Sequence, residues 1–259
     1  MNDVILHHYP ASPVSEKVRI ALGLKGLAWR SVEIPRVPPK PDVMPLTGGY
    51  RRTPVMQIGA DIFCDSHCIL RELHRRFPKP TFFPGNSEGI TWGFGRWTDA
   101  LFDPAAKLLI GANADQLPEL FLKDRGRLFF GEHWDIEKVK RDVPHVVAQL
   151  RAQFGWINCQ LADNCPFLLG KQPGLMDAMA YYLAWFVRAL ARRAGTARRI
   201  PRNRGVGAAG QGNRARQAFA ADRRRSNRDC QGRTDCHARS RRPERPARIP
   251  PGRISGRGA

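Results

Sequence analysis

Val4-Ile5-Leu6-His7-His8-Tyr9-Pro10-Ala11-Ser12-Pro13-Val14-Ser15-Glu16-Lys17-Val18-Arg19-Ile20-Ala21-Leu22-Gly23-Leu24 is the stretch from which the rest of the chain is read. Val4-Ile5-Leu6 is a short buried strand. From Ser15 to Lys25 the apolar residues Val18, Ile20, Ala21 and Leu24 make a helical stripe with charges opposite. Ser12 therefore stands at a strand-to-helix turn, with Pro13 at the first helical position, and its oxygen can cap the helix by accepting from the backbone N–H of Ser15. A cap alone would explain the serine. The same geometry, a helix N-terminus carrying a hydroxyl, also stabilises an approaching anion such as a thiolate.

Downstream, Ala28-Trp29-Arg30-Ser31-Val32-Glu33 alternates as a second strand, and a Pro- and Gly-rich stretch follows from Pro35 to Tyr50. Val55–Ile58 and Ile62–Cys64 flank Gly59-Ala60-Asp61 as a tight hairpin. Ile69, Leu70, Leu73 and Phe77 then recur at helical spacing until Phe77-Pro78 ends the run. A helical crossover makes the first two strands parallel and the hairpin makes the last two antiparallel, so the expectation is a small mixed sheet. Three polar segments, Ser12-Pro13-Val14-Ser15, Thr53-Pro54-Val55 and Asp65-Ser66, each border a short apolar run, as if strand ends presented them to one small ligand.

In that order and at those boundaries, the three segments resemble the N-terminal domain of cytosolic glutathione S-transferases, with the resemblance running from Met1 to Phe77 and a helical second domain after it. The resemblance implies an α/β thioredoxin-like domain with a mixed four-stranded sheet over residues 1–78. It implies an all-α substrate domain over 88–188, expected to be incomplete, with 189–259 left as an Arg-rich tail. Ser12, with Pro13 and Lys17-Val18-Arg19-Ile20-Ala21-Leu22, looks like the serine-type turn whose hydroxyl bonds the glutathione sulfur, which makes Ser12 the catalytic candidate. Thr53 and Pro54 look like the cis-proline turn that pairs with the cysteinyl part. Asp65 and Ser66 look like the pair that holds the γ-glutamyl end. Arg52 is the candidate for the glycyl carboxylate, with Arg51 or Lys40 as alternatives, and Tyr9 is the alternative thiolate donor, as in tyrosine-type members. The implied function is conjugation of glutathione, the co-substrate, to an electrophilic small molecule, in a homodimer if the second domain is intact. The other reading is a non-catalytic module of the same fold.

A free thiol has a pKa near 8.5, so the task at such a site is to stabilise the thiolate. Thioredoxin-like oxidoreductases have cysteine where Ser12 stands, often with a second three residues on; Ser12 and Ser15 exclude dithiol exchange at this turn. His7 and His8 are neighbours on one strand and face opposite ways, so no metal is implied. Of the six cysteines, Cys64 and Cys68 could face one another across a turn, but none has zinc-like spacing and reduced thiols are the default. We expect no signal peptide, no membrane span and a cytoplasmic location.

Beyond residue 88 the spacing is helical. Ile90, Phe94, Trp97 and Leu101 make one stripe, Leu117, Leu120, Phe121, Leu128 and Phe129 a second, and Val139 through Leu161 a long third, all read as core. Phe167-Leu168-Leu169-Gly170 and Pro173-Gly174-Leu175-Met176-Asp177 resemble the start of the family's central helix. Gly174 occupies the cap position where that family has serine or threonine, leaving Asp177 in a structural role without its hydroxyl partner.

Residues 189–259 then carry 20 Arg, no Lys and 4 acidic residues, so the tail holds most of the net charge of +20 and the body is nearly neutral. Only Leu190, Ile200, Val206, Phe219, Ile249 and Ile254 are large and apolar there, too few for a core, and the tail is expected to be disordered. Its loss of amphipathic helices would expose Tyr181, Leu183, Trp185 and Phe186. A basic arm could bind phosphate backbones non-specifically. However, Arg, Ala, Gly and Pro make 47 of its 71 residues, a composition that an out-of-frame reading of a GC-rich gene would give, and this is the preferred explanation.

Overall fold

The computed structural model describes residues 3–162 and 165–193; the readings made for the rest of the tail, disorder and nucleic-acid binding included, lie outside the described residues. Strand β1 (Val4–His8) leads into helix α1 (Pro13–Lys25), then β2 (Trp29–Glu33), β3 (Val55–Ile58), β4 (Asp61–Cys64) and helix α2 (Ser66–Arg76). The sheet order is β2-β1-β3-β4. β1 and β2 run parallel, and β3 is antiparallel to both β1 and β4, as the crossover and the hairpin require. One face of the sheet packs Val4, Leu6, Met56 and Ile58 against Val18 and Leu22 of α1 and Ile69, Leu70 and Leu73 of α2. The other face is covered by Ile34 and Val43 from the irregular segment after β2, which meet Val55, Ile62, Cys64 and Tyr50.

Among the described residues, five α-helices follow: α3 (Glu88–Ala100), α4 (Phe102–Asn113), α5 (Glu119–Phe130), α6 (Ile136–Ala162) and α7 (Leu175–Arg193). Among the described residues, no helix is long and apolar enough to cross a membrane. Two of the three expected stripes need correction. Ile90 is 65% exposed and Leu120 77%, so neither is core. The buried residues of α3 are Thr91, Gly95 and Thr98. A Cβ on Gly95 would lie 2.8 Å from Met179 Cε of α7, so the two helices meet through small residues that hydrophobic spacing does not reveal. Helix α4 was not foreseen for the same reason, since it packs through Ala105, Ala106 and Ile110.

The expected exposure of α7 is also overturned. Leu183 and Phe186 are buried with Tyr182, Leu101 and Ala105; Trp185 is half-buried at the edge of that packing, and Tyr181 is half-buried against the core that α7 shares with the sheet. Asp177 is buried at the start of α7 and accepts from the backbone N–H groups of Leu168 and Gly174, both at 2.8 Å. Burial pushes its carboxyl up to about 6, against the pull of those hydrogen bonds. Gly174 has a steric reason to lack the usual hydroxyl: a Cβ there would meet Pro84 Cδ at 2.9 Å and the Phe82 carbonyl oxygen at 3.0 Å.

Candidate functional site

Register brings the three polar segments to one end of the sheet. His7 of β1 pairs with Val55 of β3, and Val55 pairs with Cys64 of β4. One residue beyond that row β1 turns toward Ser12, Pro54 enters β3, and Asp65 leaves β4. Three separate parts of the chain thus converge because the strands that carry them end in step.

Ser12 caps α1. Its side-chain oxygen accepts from the Ser15 backbone N–H at 3.2 Å and from the Ser15 hydroxyl at 2.9 Å, and its own N–H donates to the Tyr9 carbonyl at 3.1 Å. A serine oxygen has two acceptor positions and one proton to give. The Ser15 backbone N–H takes one acceptor position, and the two hydroxyls share the second bond, in which either rotor can supply the proton. Ser12 is 2% exposed and Ser15 fully buried, which keeps this arrangement out of bulk water. The sequence foresees the bond from the Ser15 backbone N–H but not the one between the two hydroxyls; the spacing of three from an N-cap, where capping boxes put a reciprocating side chain, is the signal for it.

Tyr9 lies in the turn between β1 and α1. Its phenol oxygen accepts from Arg125 Nη2 of α5 at 3.4 Å, and Arg36 stands over its ring at 5.9 Å. Arg125 also donates to the Arg36 carbonyl at 2.5 Å and pairs with Asp124, which in turn pairs with Arg51. Through these contacts α5 is tied to the loop that carries Tyr9 and to the segment before β3.

The Thr53–Pro54 bond is cis. Lys40, buried beneath this turn, donates to Thr53 Oγ1 and to the Arg51 carbonyl, each at 2.9 Å. Burial, helped by the charges of Arg125 and Arg51, brings the Lys40 amine down to about 8. Arg51 is engaged by Asp124, whereas Arg52 is exposed. Of the three cations weighed for the glycyl carboxylate, Arg52 is thus the one whose head lies in solvent, and Lys40 keeps one ammonium N–H beyond its two bonds.

Asp65 has φ 70° and ψ 134°, a left-handed backbone that costs a non-glycine residue on the order of 1–3 kcal/mol. Its Oδ1 accepts from the N–H groups of His67 (2.8 Å) and Cys68 (3.4 Å), capping α2. The other carboxylate oxygen is left over. Tyr50, whose phenol burial pushes upward in pKa, hydrogen-bonds the Asp65 backbone and feels the charges of Asp65 and Arg52. Ser66 is the first residue of α2 and is buried. Behind it His67 Nε2 lies 2.7 Å from Asp99 Oδ2, and the buried ammonium of Lys17 lies 3.4 Å from Asp99 Oδ1. Burial pushes the Lys17 amine down. Burial alone would raise the Asp99 carboxyl, but the His67 hydrogen bond and the Lys17 charge hold it below its usual range. This network joins α1 and α2 to α3 and was not visible in the sequence.

Burial, with the charges of Cys68 and Asp65, pushes the Cys64 thiol up. Cys64 packs with Val55 and Ile62, while Cys68 lies exposed on α2 in a groove of about 630 Å³ with Phe63, Phe83 and Trp92.

A four-stranded mixed sheet flanked by helices, followed by an all-helical region, with the serine, cis-proline and acidic-serine turns at one sheet end, defines a thioredoxin-like domain joined to a helical one. A family profile described as the glutathione S-transferase N-terminal domain matches residues 6–81. No curated protein sequence matches the chain. Among solved structures, it is similar to a GST-like protein from Pseudomonas syringae at 32% identity, covering 86% of this chain and 68% of that one, with a TM-score of 0.53. It is also similar to a glutathione S-transferase of Ceriporiopsis subvermispora solved in complex with glutathione, at 16% identity over 85% of this chain and 98% of that one, with a TM-score of 0.62. A glutathione S-transferase from Rhodospirillum rubrum aligns at 16% identity over 95% and 96% of the two chains, with a TM-score of 0.57. The chain belongs to the glutathione S-transferase family.

Proposed function

We propose that the protein is a glutathione transferase that binds glutathione at the sheet end, stabilises its thiolate with Ser12 and conjugates it to an electrophilic small molecule. The observation that carries this reading is the place of the Ser12 hydroxyl at the N-terminus of α1: its oxygen is anchored by the Ser15 backbone N–H, and a thiolate, which only accepts, takes the serine proton. A donor hydroxyl plus a helix N-terminus contribute about 1 kcal/mol each to an adjacent anion. Together they lower a thiol pKa from about 8.5 to about 7, enough to make the thiolate a major species at neutral pH.

The remaining assignments follow the same turns. Thr53 and Pro54 offer backbone groups to the cysteinyl segment, with Lys40 holding the Thr53 side chain. Asp65 accepts from the γ-glutamyl ammonium through its free carboxylate oxygen, and Ser66 gives its hydroxyl and the first N–H of α2 to the carboxylate. Arg52 pairs with the glycyl carboxylate. Tyr9 is the lesser candidate for the thiolate, since its phenol is drawn to Arg125. Residues 1–78 then form the glutathione-binding domain and 88–188 the domain that receives the electrophile, in a cytoplasmic protein. The test is retention of the full chain on immobilised glutathione together with turnover of chlorodinitrobenzene. Retention with turnover supports the reading; retention without turnover points to a binding module; absence of both retention and turnover would rule out a glutathione site.

A further inference from the structure

We propose that Arg19 is a positioning residue for Ser12, holding the Tyr9–Ala11 turn so that the serine proton faces the sulfur; the proposal rests on the role given to Ser12 above. Arg19 sits on α1 within two turns of the cap, and its donors spread over one side of the turn. Nη2 donates to the Pro10 carbonyl at 3.0 Å, and Nη1 reaches the Tyr9 carbonyl at 3.5 Å. The Tyr9 carbonyl is the same acceptor that takes the Ser12 N–H at 3.1 Å. The peptide plane that fixes the Ser12 backbone is therefore fixed in turn by Arg19.

The guanidinium is itself held from two sides. Nε donates to Glu16 Oε2 at 2.7 Å, with Nη2 2.5 Å from the same oxygen. Nη1 donates to His8 Nδ1 at 2.9 Å. Arginine has no acceptor, so His8 Nδ1 must carry the lone pair and Nε2 the proton, which donates to Ser31 Oγ of β2 at 2.8 Å. Trp29 closes the other side of the imidazole with its ring edge, centroids 5.5 Å apart. A continuous chain of contacts thus runs from β2 through β1 and α1 to the turn. Only a planar fork can reach two carbonyls, an imidazole and a carboxylate at once; a lysine ammonium is a single point.

The experiment titrates the thiol of bound glutathione by its ultraviolet thiolate absorbance in the full chain and in Arg19→Met, Arg19→Lys, Ser12→Ala and the Ser12→Ala/Arg19→Met double variant. Circular dichroism and thermal melting confirm that each is folded. Arg19→Met should raise the apparent thiol pKa by up to one unit, about a tenfold loss of thiolate at a pH below it, while retention on immobilised glutathione stays within about twofold. Arg19→Lys should fail to restore it, because the fork and not the charge is needed. The double variant should match Ser12→Ala alone, since a residue acting through Ser12 has nothing left to act on. Glu16→Gln, which loosens the fork without emptying it, is the milder variant and should shift the thiol in the same direction by less. An unshifted thiol in both Arg19→Met and Glu16→Gln, full rescue by lysine, or losses that multiply in the double variant would each overturn the proposal. An unshifted thiol in Ser12→Ala alone would instead overturn the parent reading, and a shift confined to Arg19→Met would then show that the arginine acts elsewhere.

Discussion

Replacing His8 with glutamine should change how the protein's stability responds to acid, and the size follows from the imidazole's surroundings. Burial, reinforced by the Arg19 charge, lowers the His8 pKa from 6.5 to about 4. In the unfolded chain the imidazole binds a proton below about 6.5, whereas in the folded chain it stays neutral until about 4. Between those values the unfolded state holds more protons, so folding stability falls as pH falls through that window. Two and a half pH units at about 1.4 kcal/mol each amount to about 3 kcal/mol. His8 is only 5% exposed, so solvent screening takes little from this figure. Asp177 works the other way: its folded pKa of about 6 lies above the unfolded value, and it adds stability as pH drops from 6 toward 3.8. The wild-type curve alone therefore comes out flatter than either group would give. The difference between wild type and His8→Gln isolates the histidine, because glutamine can still meet Arg19 and Ser31 but does not titrate. Urea unfolding followed by circular dichroism at pH 7, 6, 5 and 4 is the assay, with the midpoint shift converted through the slope m. The variant should gain about 3 kcal/mol on wild type between pH 7 and pH 4. A difference that stays constant across that range would refute the account of His8 as a buried neutral acceptor.

Three further substitutions probe the cap and the ligand frame. Gly174→Ser, which supplies the family's usual cap and by capping rules alone would gain about 1 kcal/mol, should instead destabilise by about 1–3 kcal/mol, because the new Cβ would collide with the Pro84 ring and the Phe82 carbonyl; a raised melting temperature would contradict this. Asp65→Ala and Ser66→Ala should each weaken glutathione binding by about 1–3 kcal/mol in calorimetric titration, and equal affinity in the double variant and wild type would remove both residues from the site.

How much could be read in advance divides by range. The Ser12-Pro13 cap, the hairpin and the end of α2 at Phe77 were legible because each is decided within four or five residues by cap, turn and proline chemistry. The order of three polar turns was legible too, although their meeting depends on strand register. The partners were not. Lys40 under Thr53, Arg125 on Tyr9, Tyr50 beside Asp65 and the Lys17–Asp99–His67 network join residues from thirteen to more than a hundred positions apart, with no periodic signal. In the helical region the sequence misled where packing runs through Thr91, Gly95 and Ala105, because large apolar residues such as Ile90 and Leu120 mark a stripe whether or not anything covers it.

The central claim is that the Ser12 hydroxyl, anchored at the N-terminus of α1 by the Ser15 backbone N–H, donates to the glutathione thiolate. The most direct measurement is the apparent pKa of glutathione bound to the full chain and to Ser12→Ala. Loss of the hydroxyl should raise that pKa by about one unit and cut turnover roughly ten- to a hundredfold, with retention on immobilised glutathione nearly unchanged. The same pKa and the same pH–rate profile in both proteins would contradict the claim and move the thiolate contact to Tyr9.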